Sequence, residues 1–223
     1  MEQNINTEEQ AKMNGLFITF EGIDGCGKTT QLKKTAELMG NCVVTREPGG
    51  TKISEKIRRI LLDNENMEMA YRCELLLYVA SRAQIVNEFI RPHIEQGMNV
   101  LCDRFYDSTA AYQVFGRGIC SLEEFELINN FAIKTDTQLL RPDLTFVFDL
   151  PVEVAFLRMG KRKADRIETE DRGFFERVRN GFLELASKYP QRIKVIDANR
   201  TMEEIAMDVF RMIVTLKEHH KIS

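Results

Sequence analysis

Apolar positions along the chain alternate between two habits: short β-branched runs, and longer stretches in which they recur every three to four residues. The runs predict strands over 16–21, 42–46, 98–102, 144–150 and 193–197. Helical periodicity fills the intervals at 27–39, 52–62, 71–96, 108–132, 151–159, 171–188 and 202–218. In the last of these Met202, Ile205, Val209, Ile213 and Leu216 form one stripe. Strands and helices in strict alternation predict an α/β fold, a five-stranded parallel sheet with helices on both faces. Ligands of such sheets bind at the carboxyl ends of the strands, so chemistry is to be sought there.

Composition narrows the class without changing it. With 223 residues, 43% hydrophobic and 29% charged, one compact domain is expected over 15–223, preceded by a polar tail at 1–14. No apolar run approaches the roughly 18 residues of a membrane span, and the N-terminus has neither the basic nor the apolar part of a signal peptide. Five cysteines, widely spaced and without a C-x-x-C pair, fit neither a disulfide framework nor a zinc site and point to a reducing, cytoplasmic setting. A net charge of −3 argues against nucleic acid or an anionic membrane as partner. Any positive potential has to be local.

The strongest chemical signal directly follows the first strand. Gly22-Ile23-Asp24-Gly25-Cys26-Gly27-Lys28-Thr29-Thr30 matches G-x-x-x-x-G-K-[ST] in full and opens a helical stretch. Glycines let successive N–H groups turn towards phosphate oxygens, Lys28 supplies a point charge between the outer phosphates, and the Thr29 hydroxyl suits Mg²⁺. A nucleoside triphosphate is the expected ligand. The third strand runs into Asp103-Arg104-Phe105, which brings a carboxylate fit for Mg²⁺ and a guanidinium fit for phosphate to the same edge.

Other clusters read two ways on residue chemistry alone. Thr45-Arg46-Glu47-Pro48-Gly49-Gly50-Thr51 is either a functional loop or a plain strand-to-helix turn. Tyr78 and Arg82, four apart, suit stacking on a base and bonding to its edge, but an aromatic at this period is commonly core. Arg158, Lys161, Arg162, Lys163 and Arg166 form either a solvated helix end or a basic flap that closes on phosphates. If that segment is helical, 158, 162 and 166 share a face.

Taken in order, the segments from Phe20 to Thr30 and from Thr45 to Thr51, Asp103-Arg104-Phe105 with Ser108-Thr109-Ala110-Ala111-Tyr112-Gln113, and Arg141-Pro142-Asp143 resemble the thymidylate kinase family over roughly 15–216. The resemblance implies a three-layer P-loop NTPase fold with a small lid at about 158–170, and ATP-dependent, Mg²⁺-assisted conversion of dTMP to dTDP for dTTP synthesis. It implies that Asp24 binds the deoxyribose 3′-hydroxyl, that Glu47 sits near sugar and metal, and that Arg58 and Arg104 hold the dTMP phosphate. Tyr78 would stack on thymine, where the family commonly has Phe. Arg82, Thr109 and Gln113 would read its polar edge, and Tyr112 would bar a ribose 2′-hydroxyl. A homodimer is likewise a family expectation.

Some family members carry an arginine inside the phosphate loop, where this chain has Gly25 and Cys26. Its cations lie in the lid, as in the bacterial arrangement, which makes Arg158, Arg162 and Arg166 candidates for the transferring phosphoryl group. The competing assignments are a deoxynucleoside kinase, a GTPase and a non-catalytic relic. Paired Arg58 and Arg104 favour an acceptor that already bears phosphate. No N-K-x-D guanine motif occurs in the chain.

Overall fold

The computed structural model describes residues 15–136, 138–160 and 164–220. The expected tail at 1–14 and Lys161, Arg162 and Lys163 of the basic cluster lie outside these residues. Five parallel strands, β1 (Phe17–Glu21), β2 (Cys42–Arg46), β3 (Asn99–Asp103), β4 (Leu144–Asp149) and β5 (Ile193–Asp197), form one sheet in the order β2-β3-β1-β4-β5. Because β1 and β2 are not neighbours, the chain crosses over the sheet after β1, and the first βα turn falls where the strand order reverses.

Burial follows position in the sheet. β1 is buried at every residue, and so is β4 as far as Phe148, as continuous apolar runs flanked by strands on both sides require. The edge strands β2 and β5 are only partly covered, with Val44 and Val195 exposed. Phe20 stacks on Phe148 and tilts against Phe146, while Phe17 meets Phe105 edge to face, so aromatic rings fill the centre.

The helices are α1 (Lys28–Met39), α2 (Lys52–Leu62), α3 (Tyr71–Ile85), α4 (Arg91–Glu95), α5 (Tyr106–Thr109), α6 (Leu122–Ile133), α7 (Val152–Met159), α8 (Arg172–Lys188) and α9 (Met202–His220). They cover both faces of the sheet, giving the P-loop NTPase architecture. α1 packs on β1, β2 and β3 with α9 beside it, and α8 packs on β4 and β5.

Three expectations need correction. The continuous helix expected over 71–96 passes through a π-helical turn at Val86–Ile90 before α4. The helix expected over 108–132 starts at Tyr106, becomes π-helical over Ala110–Gly116 and breaks before α6, whose start is fixed by a reciprocal Ser121/Glu124 capping box. Met202 leaves the apolar stripe of α9: it is exposed, whereas Ile205, Val209 and Ile213 are buried.

Candidate active site

At the carboxyl ends of β1, β2 and β3 lies a cavity of about 190 Å³. Its donor wall is the turn between β1 and α1. Gly22, Gly25 and Gly27 all have φ in the left-handed region, at 135°, 82° and 92°, which non-glycine residues rarely adopt. At Gly25 a side chain is also excluded by contact, since a Cβ would lie 2.4 Å from the Ala155 carbonyl oxygen of α7. α1 has Gly27 as its N-cap and no side-chain cap, so its first N–H groups remain available to an anion. Cys26 packs inward, where burial pushes its thiol up.

Lys28 is buried and approaches Asp24 Oδ1 at 3.4 Å. Asp24 accepts further bonds from Arg104 Nη2 at 2.8 Å and Tyr112 OH at 3.1 Å. Burial alone would raise the Asp24 carboxyl, but Arg104 and Lys28 outweigh it and hold the group well below the usual carboxylate range. The Thr29 hydroxyl donates to Asp103 Oδ2 at 2.6 Å. Two hard oxygens at this spacing, open to the cavity, fit a cation that keeps waters and phosphate oxygens as its other ligands, as Mg²⁺ does.

Arg104 organises the centre of the site from a strained position. Its φ of 70° makes it the one non-glycine residue with positive φ among the described residues. The turn is held from beneath by Glu21, whose Oε1 accepts the Phe105 N–H at 2.7 Å and whose Oε2 accepts the Ser108 hydroxyl at 2.5 Å. Burial, reinforced by nearby Asp107, pushes Glu21 up to about 8. The Arg104 guanidinium donates to the Gly22 carbonyl and to Ser108 Oγ, and it lies 5.0 Å above the Tyr112 ring. Over-determination of this kind offsets the backbone strain.

The acceptor wall comes from α2, α3 and the segment after β3. Arg58 lines the cavity and donates to the Pro48 carbonyl at 2.9 Å, half-buried, with its pKa lowered chiefly by burial. Tyr78 is half-buried on the same wall, not part of the core cluster, and burial drives its phenol pKa up. Arg82 is 1% exposed and fully engaged: Nε donates to Glu47 Oε2 at 2.9 Å, Nη1 to Asn129 Oδ1 at 3.1 Å and Nη2 to Thr109 Oγ1 at 2.7 Å. Glu47 keeps Oε1 buried without a partner, and burial, opposed by Arg82, leaves it pushed up to about 7.

The cavity thus gathers all nine residues that the resemblance assigned to dTMP, together with Lys28, Thr29 and Asp103. Five cations, Lys28, Arg46, Arg58, Arg82 and Arg104, share it with the carboxylates Asp24, Glu47, Asp103 and Asp165. Of the lid arginines, the described pair Arg158 and Arg166 do not join them. Arg158 is exposed at the last turn of α7 and donates to the Ala198 carbonyl after β5 at 3.1 Å. Arg166 is a buried anchor: its Nε donates to the Leu61 carbonyl at 2.8 Å and its Nη2 to Glu74 Oε2 at 2.6 Å. The condition for a shared helical face does not hold between Arg158 and Arg166, because α7 stops at Met159, with Gly160 at φ 66° as its cap.

Sequence reasoning missed several participants. Leu62 lines the cavity, Glu21 and Asn129 support it, and Asp107 of α5 forms a two-pronged ion pair with Arg192 at 2.6 and 2.9 Å. These partners lie far apart in the chain and carry no local pattern.

The thymidylate kinase family model matches residues 20–209. A thymidylate kinase of Desulforudis audaxviator is 50% identical over 193 residues, covering 84% of this chain and 85% of that protein. One from Ectopseudomonas mendocina is 46% identical over 211 residues, at 92% and 98% coverage. Among solved structures, the crystal structure of thymidylate kinase from Ehrlichia chaffeensis matches with a TM-score of 0.70 at 34% identity, covering 90% of this chain and 99% of that one.

Proposed function

The chain belongs to the thymidylate kinase family, and we propose how its own residues carry out that family's reaction. It transfers the γ-phosphoryl group of ATP to dTMP, giving dTDP and ADP. Both reacting groups are phosphates, so the attacking oxygen is already anionic and needs no base. Catalysis is positioning plus stabilisation of charge on the moving group.

ATP seats its phosphates on the loop 22–30 and the α1 N-terminus, with Lys28 at the outer phosphates. Thr29 and Asp103 would hold Mg²⁺, which when bound would neutralise phosphate charge. Arg58 and Arg104 take the dTMP phosphate, Asp24 the 3′-hydroxyl, and Tyr112 the space beside the sugar. Tyr78 stacks on thymine, with Thr109 and Gln113 at its edge and Arg82 behind Thr109; Glu47 holds Arg82 and faces sugar and metal. Of the lid, Arg158 and Arg162 remain the candidates for the transferring group, and Arg166 anchors the segment that carries them. The observation that carries this reading is convergence: five cations line one cavity of which the phosphate loop is one wall and an aromatic-bearing helix the other. A nucleoside acceptor would leave Arg58 without a task.

The proposed assembly is a homodimer. Leu76 of α3 and Leu127 and Phe131 of α6 are exposed on helices that pack together, Phe131 by 86%. The proposed setting is the cytoplasm, consistent with five free thiols; no described helix is long and apolar enough to cross a membrane. Residues 15–223 are taken as one kinase domain.

Arg58→Gln tests the acceptor assignment. It is expected to raise KM for dTMP by about tenfold or more while KM for ATP moves less than about twofold, since a lost charge-assisted bond costs roughly 1.5–3 kcal/mol. Steady-state kinetics with each substrate varied in turn would measure this. Equal changes for both substrates would remove Arg58 from the acceptor site.

A further inference from the structure

A carboxylate outside the reacting groups joins the acceptor wall to the lid. Glu74, in the first turn of α3, is 0% exposed. Its Oε1 accepts from Gln113 Nε2 at 2.8 Å and Arg117 Nε at 2.7 Å, and its Oε2 accepts from Arg166 Nη2 at 2.6 Å and Arg117 Nη2 at 3.2 Å. Arg117 also reaches Glu170 at 2.7 Å, so two carboxylates balance two guanidiniums. Burial opposes the charged form of Glu74, but hydrogen bonds and charge from Arg117 outweigh it and hold the carboxyl below its ordinary range. Ionised, it can only accept.

That property bears on Gln113, which is 1% exposed and lines the cavity. A carboxamide can exchange its two ends by half a turn, so a free glutamine serves a base of either hydrogen-bonding pattern. Facing an acceptor-only partner, Gln113 has to present its NH₂ to Glu74, and its Oε1 is the atom left for the cavity. Thr109 complements it. Its Oγ1 already accepts from Arg82 at 2.7 Å, so its own proton remains to donate.

We propose that Glu74 is a positioning residue that fixes the Gln113 carbonyl towards the acceptor base, so that the pocket takes a pyrimidine bearing an N3–H and rejects one whose N3 is an acceptor. The inference rests on the dTMP reading above. A donor beside an acceptor complements O4 and N3–H of thymine or uracil and opposes the amino group and N3 lone pair of cytosine. Leaving such a buried pair mismatched is the kind of discrimination that reaches roughly 10⁴-fold.

The test measures kcat/KM for dTMP and dCMP in the wild type, in Glu74→Gln, in Gln113→Leu and in the double variant. Glu74→Gln can accept or donate at that position and so releases Gln113 to turn. The expected result is a dTMP-to-dCMP ratio at least about tenfold lower in Glu74→Gln, with KM for ATP within about twofold. In the double variant, Glu74→Gln adds no further loss to that of Gln113→Leu. Should Glu74→Gln fail to fold with its guanidiniums unbalanced, Glu74→Gln/Arg166→Met removes one charge of each sign and enters the same assay. An unchanged ratio, or fully additive effects in the double variant, overturns the inference alone. A wild type without preference for dTMP overturns both the inference and the reading beneath it.

Discussion

Lys28→Ala is expected to lower kcat by about 10³-fold or more while leaving the fold intact. The side chain is buried in the cavity wall and touches Asp24 at 3.4 Å, a long contact that carries little of the stability. Its charge faces the place where negative charge accumulates during transfer, so the loss falls on the transition state and appears in kcat as much as in kcat/KM. Arg104 cannot stand in for the missing cation, since it is committed to Asp24, Gly22 and Ser108. Circular dichroism and steady-state rates on one preparation check both halves of the expectation. A folded variant with near-normal turnover would remove the phosphate-loop assignment.

Arg104→Met should be nearly as damaging, for a reason that combines binding with architecture. The guanidinium links Gly22, Asp24, Ser108 and Tyr112, so its loss unfastens the donor loop from the acceptor wall as well as removing a cation. Expected are a fall in kcat/KM for dTMP of about 10²–10³-fold and a loss of about 1–3 kcal/mol in stability as Asp24 loses its main partner. The Asp24 carboxyl should then move up towards its ordinary range, since Arg104 is foremost among the groups holding it down. Sign follows from this: with a depressed folded pKa, Asp24 stabilises the fold above its unfolded value of about 3.8, and that contribution is lost as pH falls. Thermal melts of wild type and Arg104→Met should therefore converge towards acid pH. Parallel curves would mean that Asp24 does not depend on Arg104.

How much of this was legible in the sequence depended on range. The buried run 16–21 and its phosphate loop were legible because strand, turn and helix follow without interruption and each glycine meets a local backbone demand. The cavity-lining residues on α2, α3 and the segment after β3 were carried by resemblance; on chemistry alone Tyr78 read more readily as core, and its half-buried place on the cavity wall is set by tertiary contacts. The π-helical turns at Val86–Ile90 and Ala110–Gly116 left no trace, since one extra residue per turn barely disturbs an apolar period. Two signals were present and unused: Gly160 marked the end of α7, and Ser121 with Glu124 marked the start of α6. Reading Gly160 as a stop would have separated Arg158 from Arg166. By contrast Glu74, Arg117 and Arg166 meet from three distant segments, as do Glu21 with Ser108 and Asp107 with Arg192, and no spacing rule announces a long-range ion pair.

The most direct test of the account is ADP release with ATP and Mg²⁺ across dTMP, dUMP, dCMP, dGMP, dAMP and thymidine. The account predicts the highest kcat/KM for dTMP, weak turnover of dCMP and the purine monophosphates, and next to none with thymidine, which offers Arg58 and Arg104 no phosphate. Turnover of thymidine equal to that of dTMP, or of a purine monophosphate in preference to it, would contradict the assignment of this cavity to dTMP.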